Sequence, residues 1–255
     1  MESEQQRFDH AVDVAVDLGI TVLKNGGSTR AADRTFRKVL QGCGQDQLSS
    51  AWRLDVVTAR SVSSGHAANI TRPVGRIGVN LLRVSKAIEL ADRVSRGEVN
   101  QCDLDAEIVR INALPPQYSM WLAVVAAACS AVGFARLCGA DWPASASAGI
   151  ATTVGKFLGN VLQAQNAPVA PVTLICGMVS SGIAALALRF GVSGMGPSTL
   201  VASIIYLTPG LPLINGFVDI VSERYLIVGV ERIANAALIY AVIAIAVELT
   251  VGMVL

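Results

Sequence analysis

Charge is what the second half of this chain lacks. Of its 39 acidic and basic side chains, 29 fall in residues 1–118 and ten in residues 119–255, between or at the ends of long apolar runs. The first half is composed like a soluble domain and the second like a membrane bundle. Other shortages exclude whole classes of function. A net charge of +1 leaves no basic stripe in excess, which argues against a nucleic-acid partner. The five cysteines, Cys43, Cys102, Cys129, Cys138 and Cys176, are odd in number, form no Cys-x-x-Cys and lie in apolar segments in three cases. Neither a disulfide framework nor a metal site is indicated. There are only two histidines and no Gly-x-Ser-x-Gly elbow, so Ser63, Ser64 and His66 make a poor catalytic triad. The chain reads as no enzyme and calls for no cofactor. Internal repeats and low-complexity tracts are missing, and the polar start Met1-Glu2-Ser3-Glu4-Gln5-Gln6 predicts no cleavable signal peptide.

What is there is a set of apolar runs. A hydrocarbon core about 30 Å thick needs roughly 20 apolar residues of helix. Five segments meet that length, at about 119–138, 144–163, 171–190, 198–217 and 233–253. The fold class expected is an α-helical membrane protein of five transmembrane helices, residues 119–255, preceded by a small cytosolic α+β domain, residues 1–118. Turn signals separate the spans at Gly139-Ala140-Asp141-Trp142-Pro143, Asn166-Ala167-Pro168 and Gly191-Val192-Ser193-Gly194, and a longer charged connection runs over 218–232. Small residues crowd two spans, as Gly149/Gly155/Gly159 and Gly177/Ser180/Ser181/Gly182, and small residues let helices approach in lipid. Fifteen basic residues precede the first span, which puts the N-terminus in the cytoplasm and, after five crossings, the C-terminus outside.

In the first half, apolar spacing at Val12, Ala15, Val16, Ile20 and Leu23 predicts a helix over 8–24, stopped by Asn25-Gly26-Gly27. Ser28 or Thr29 starts a second helix to about Cys43. Residues 47–73, broken at Ser63-Ser64-Gly65, suggest a β-hairpin. Helices over 78–96 and 102–113 follow, and Leu114-Pro115-Pro116 ends the domain.

The strongest candidate for function is the fourth span, Tyr206-Leu207-Thr208-Pro209-Gly210-Leu211-Pro212-Leu213-Ile214-Asn215-Gly216-Phe217. Prolines inside an apolar helix remove backbone donors and free carbonyls, a break that survives in a bilayer only against protein or a wet cavity. Transporters present substrate with such breaks; a kink satisfied by neighbouring helices is the plainer alternative. Thr208, Asn215 and Asp219 add polar groups along the segment. Lys156 is the only lysine after residue 118 and lies well inside the second span. It is either an anion site for a carboxylate or phosphate, or a side chain snorkelling to the headgroups. Glu248 reads as snorkelling. Gly26-Gly27-Ser28-Thr29-Arg30 reads as a capped helix start rather than an anion site, and Arg72, Arg76 and Arg83 as a solvated or interfacial face.

Several pieces, in order, resemble one family. They are Gly26-Gly27-Ser28-Thr29-Arg30, Arg76-Ile77-Gly78-Val79-Asn80-Leu81, Ser95-Arg96-Gly97-Glu98, Pro115-Pro116-x-Tyr118, Gly139-Ala140-Asp141-Trp142 and Pro209-Gly210-Leu211-Pro212-Leu213-Ile214-Asn215-Gly216-Phe217-Val218-Asp219. Together they resemble the N-terminal component of the threonine/serine exporter family, in its two-component, succinate-exporter-like inner-membrane form. Ser28-Thr29 departs from the acidic residue that many members carry in the first piece. The resemblance implies export of a small carboxylate, most simply succinate, with threonine or serine as the alternative. It also implies a second small multi-pass membrane subunit that completes the exporter, and it leaves a homo-oligomer open. The substrate path expected is Lys156, Thr208, Pro209, Gly210, Pro212, Asn215 and Asp219. A membrane-anchored enzyme and a non-transporting scaffold are the rival classes.

Overall fold

Helix α1 (Glu2–Lys24) stops at the turn that Asn25-Gly26-Gly27 announces. Gly26 has φ +97, where a side chain is strained, and the Gly27 N–H donates to the Val22 carbonyl at 2.9 Å to close the helix end. Ser28 then caps α2 (Thr29–Gly42), its hydroxyl accepting from the Ala31 N–H at 3.2 Å. The computed structural model describes residues 2–45, 47–63, 66–99, 103–192 and 196–254. Ser64, Gly65, Cys102, Ser193 and Gly194, on which sequence expectations fall, lie outside them.

Two compact units divide the chain: Met1–Gln117 with Gly210–Ala234, and Tyr118–Pro209 with Asn235–Leu255. In the first, α1 and α2 pack with an antiparallel sheet in the order β1 (Gln47–Trp52), β2 (Val56–Ser63), β3 (His66–Pro73). The expected hairpin is the β2–β3 pair, registered Val57 against Arg72 and Ala59 against Ile70, and a third strand precedes it. On β2, Val57, Ala59 and Ser61 are buried while Thr58 and Arg60 are exposed, the period of two of a one-sided sheet. The core is mainly aliphatic, with Val12, Val16 and Leu23 from α1, Leu40 from α2 and Val57 from β2, joined by the aromatic Phe36 of α2. Phe36 meets Trp52 edge to face, ring centroids 6.0 Å apart. Full burial of a side chain such as Phe36 stabilises by roughly 1.5–3 kcal/mol. Helix α3 (Leu81–Ser95) starts three residues later than expected because Asn80 caps it, accepting from the Arg83 N–H at 3.2 Å. Helix α4 (Leu104–Ala113) ends before Pro115-Pro116.

The second unit holds α5 (Met120–Leu137), α6 (Trp142–Ala164), α7 (Val169–Arg189) and α8 (Gly196–Ile204), which leads into a 3-10 turn (Ile205–Leu207). Its interior is made of small residues, among them Ala135, Ala144, Ala148, Ala151, Ala184 and Ala246, together with Gly149, Gly155, Gly159, Gly177, Ser180 and Ser181. Large apolar side chains such as Trp121, Leu137, Ile150 and Phe190 are exposed instead. Small inside and large apolar outside is the arrangement lipid selects.

Among the described residues, three helices are long and apolar enough to cross a membrane: α5, α7 and α10 (Leu226–Val254). The segment expected as the fourth span is not one helix. It is α8 with its 3-10 turn, a break at Thr208-Pro209, and then α9 (Gly210–Val221), and it makes a fourth span if this bent pair is counted as one. Helix α6, expected as the second span, is long enough at 23 residues but too polar to qualify, with Ser145, Ser147, Thr152, Thr153, Lys156, Asn160 and Gln163 along it. The charged connection over 218–232 is mostly helix: α9 runs to Val221, a turn through Glu223 (φ +54) follows, and α10 starts at Leu226.

Candidate functional site

Pieces of sequence far apart converge on the turn after α1. The Gly78 N–H donates to Lys24 O at 2.8 Å and the Asn80 N–H to Asn25 O at 2.9 Å. Arg83 donates from Nε to Leu114 O at 2.8 Å, and Asn80 Nδ2 to Pro115 O at 3.4 Å. From the other side, Asn215 on α9 donates Nδ2 to Gly26 O at 2.9 Å. One turn on, Asp219 accepts from the Thr29 N–H (3.2 Å) and from its hydroxyl (2.7 Å). Arg232 of α10 places Nε 3.1 Å from Asp219 Oδ2 and donates from a terminal nitrogen to Gly27 O at 3.1 Å. Asp219 and Thr29 have no exposed surface and Arg232 is 4% exposed. The pair is ionic rather than a well-aligned hydrogen bond, since the Arg232 Nε–H is not directed at an acceptor.

These contacts fix what the expected path residues do locally. Asn215 and Asp219 are buried and bonded within the first unit. Pro212 sits in the first turn of α9, where a missing N–H costs nothing, and Gly210 opens that helix, exposed. Thr208 is extended (φ −63, ψ 130), exposed, and its hydroxyl donates to Ile205 O at 2.7 Å. Pro209 completes the break.

Lys156 belongs to the second unit. It is half-buried on α6, and among the described residues no hydrogen bond or ion pair reaches its ammonium. The buried Cys176 of α7 lies within electrostatic reach. Next to it, Gly155 leaves room for a polar cluster: Ser180 donates to Ala151 O at 3.2 Å and shares a hydrogen bond with the Tyr206 hydroxyl at 3.0 Å. A Cβ on Gly155 would collide with both oxygens.

A third arrangement in the first unit escapes sequence reasoning. Asp33 of α2, its side chain 4% exposed, accepts from Ser50 Oγ (2.6 Å) and Trp52 Nε1 (2.9 Å) on one oxygen. The other oxygen accepts from Arg37 Nε (2.8 Å) and the Tyr225 hydroxyl (2.7 Å). Burial alone would raise the Asp33 pKa. The bonds from Ser50, Arg37, Tyr225 and Trp52 outweigh it and hold the carboxyl below its ordinary value. Tyr225 is pushed the opposite way, by burial and then by its bond to that carboxylate. The signal was present: Thr29, Ala32, Asp33, Phe36 and Leu40 fall on one helical stripe, so an acid stands where the spacing demands an apolar residue.

Apolar helices with small-residue packing between them are those of a multi-pass membrane protein. A family model described as "Putative threonine/serine exporter" matches residues 13–255, and the chain belongs to that family. It is 21% identical over 240 residues to a Klebsiella aerogenes protein named "Probable succinate transporter subunit YjjP", covering 94% of this chain and 92% of that one. The protein of the same name from Escherichia coli K12 is 22% identical over 241 residues, with the same coverage of 94% and 92%. A "Probable threonine/serine exporter" from Mycobacterium tuberculosis is 24% identical over 233 residues, covering 88% of this chain and 42% of that protein. No solved structure matches.

Proposed function

We propose that this chain is one subunit of an inner-membrane exporter of a small carboxylate, most simply succinate, working with a second multi-pass membrane subunit. The observation that carries the reading is the near end-to-end match to two relatives whose names specify a succinate transporter subunit. The broken α8–α9 pair supports it, because backbone freed at Thr208-Pro209 offers polar contacts that a continuous helix denies. Lys156, unpartnered among the described residues, supplies the cation that a carboxylate needs. In this reading five helices cross, α6 included, its Ser145, Ser147 and Thr152 being buried within the unit. Residues 1–118 face the cytoplasm and the C-terminus faces the periplasm, as the fifteen basic residues before the first span favour. The path residues we assign in the second unit are Lys156, Thr208 and Pro209; in the first unit Gly210 and Pro212 continue the segment that Asn215 and Asp219 anchor.

The partner is supported by the word subunit in the two relatives' names, and by the Mycobacterium tuberculosis protein, of which this chain matches 42%. That protein's name also favours the second reading, export of threonine or serine.

Efflux of labelled succinate, threonine and serine from cells stripped of their own exporters tests the proposal. This chain is expressed alone and then with a candidate second subunit. Succinate efflux that needs both chains is the expected result. Threonine or serine efflux moves the substrate to the amino-acid branch, and efflux from this chain alone removes the partner. Normal export after replacing Pro209 or Gly210, at normal protein levels, removes the path assignment.

A further inference from the structure

The exposed face of α2 is basic at helical spacing, with Arg30, Arg34, Arg37 and Lys38 on one side of the helix. Arg224 and Tyr225, just before α10, form an opposing wall, and a groove of about 450 Å³ lies between them, wholly inside the first unit. A basic helix face is ordinarily a solvated surface. Here the two acids beside it are already engaged, which leaves Arg30 and Arg34 over. Asp92 is taken by Lys38. Asp33, at the groove floor, has four lone-pair positions and four donors already on them, from Ser50, Trp52, Arg37 and Tyr225. Arg224 comes no closer than 3.9 Å to Asp33 and lies over the Tyr225 ring. Arg30 and Arg34 are exposed and, among the described residues, have no hydrogen-bond or ion-pair partner. Arg30 and Arg34 therefore border this surface without a partner, and Arg224 beside them keeps only its 3.9 Å ion pair with Asp33.

We infer that this groove binds a multivalent phosphate-bearing anion through Arg30, Arg34 and Arg224. Guanidinium forks match phosphate oxygens two at a time, and a polyphosphate or phosphodiester spans several of them at once. The source is either a soluble phosphorylated metabolite or an anionic lipid headgroup. The inference does not rest on succinate export.

Pyrophosphate is the probe, titrated calorimetrically into the full-length protein in a neutral detergent at low salt. Saturable binding is expected, weakening as salt rises. The double variant Arg30→Gln/Arg34→Gln binds at least about tenfold more weakly, the scale of losing charged hydrogen bonds, while its melting temperature is unchanged because both side chains are exposed. Arg30→Lys/Arg34→Lys retains part of the affinity. Phosphatidylglycerol doped into the micelles displaces pyrophosphate if the headgroup is the natural ligand, and fails to displace it if the ligand is soluble. No saturable binding of pyrophosphate or phosphatidylglycerol, or equal binding by the glutamine variant, overturns the inference. So does succinate displacing pyrophosphate at equal concentration.

Discussion

Arg232 and Asp219 form an ion pair at 3.1 Å with almost no surface left to solvent. Neither charge would be stable there alone. Asp219 is held further by the Thr29 N–H and hydroxyl, and Arg232 by Gly27 O, so the pair ties α9 and α10 to the first turn of α2. Removing one member strands the other, which costs about 3–5 kcal/mol. Asp219→Ala is therefore expected to lose most of its folded yield in detergent and to melt well below the parent. Asp219→Ala/Arg232→Met should be less destabilised than Asp219→Ala alone. A double variant worse than the single would show that the charge pair is not the source of the effect.

Asp33 gives stability a dependence on pH. Its carboxyl is held below its ordinary value in the folded chain, so the stabilisation is complete above the unfolded pKa of about 3.9 and is lost as pH falls through the lower folded value. Asp33→Asn is expected to cost about 1.5–3 kcal/mol at neutral pH, the scale of a hydrogen bond to a charged group, and to flatten the acid side of a melting-temperature profile. An acid limb of unchanged slope in the variant would assign the acid sensitivity to other carboxylates.

Gly155 tests the packing of the second unit. Gly155→Ala drives a methyl into the Ser180 and Tyr206 oxygens and breaks their hydrogen bond, an overpacking of about 1–3 kcal/mol. Gly133→Ala, where nothing beyond the local backbone of its own helix lies within 4 Å of the added carbon, is the matched control and should not be destabilised. Equal melting of the two variants would mean that the α6, α7 and Tyr206 contacts are looser than described.

Caps and helix breaks are legible in the sequence, and contacts between distant residues are not. Gly26 and Ser28 announce where α1 stops and α2 starts because caps are made by neighbours within three or four residues. Pro209 and Pro212 announce the broken helix for the same reason. The hairpin expected over 47–73 includes the residues of β1, but the turn at Arg53-Leu54-Asp55 that makes them a separate strand carries no glycine or proline to announce it. Helix α6 has the length of a span, but Lys156, Asn160 and Gln163 dilute its hydropathy, together with hydroxyls such as that of Thr152, which donates to Ser203 O at 3.1 Å. No local pattern could place Asp219 against Thr29, which is 190 residues away along the chain. Of the expected path, the structure brings Asn215 and Asp219 to the turn after α1, while Lys156 belongs to the other unit.

Lys156 separates transport from scaffolding. With its charge as the counter-ion of a carboxylate, Lys156→Gln should reduce succinate efflux about tenfold or more at unchanged protein level, and Lys156→Arg should keep much of it. Efflux untouched by Lys156→Gln would favour a chain that only positions its partner.

The most direct test of the central claim is transport by purified protein. The chain and its second subunit are reconstituted in liposomes loaded with labelled succinate, beside liposomes holding either chain alone. Release of succinate from the two-chain liposomes only, blocked by Lys156→Gln, is the expected result. Retention of the label by two-chain liposomes with both proteins folded and inserted would contradict succinate export as the function of this pair.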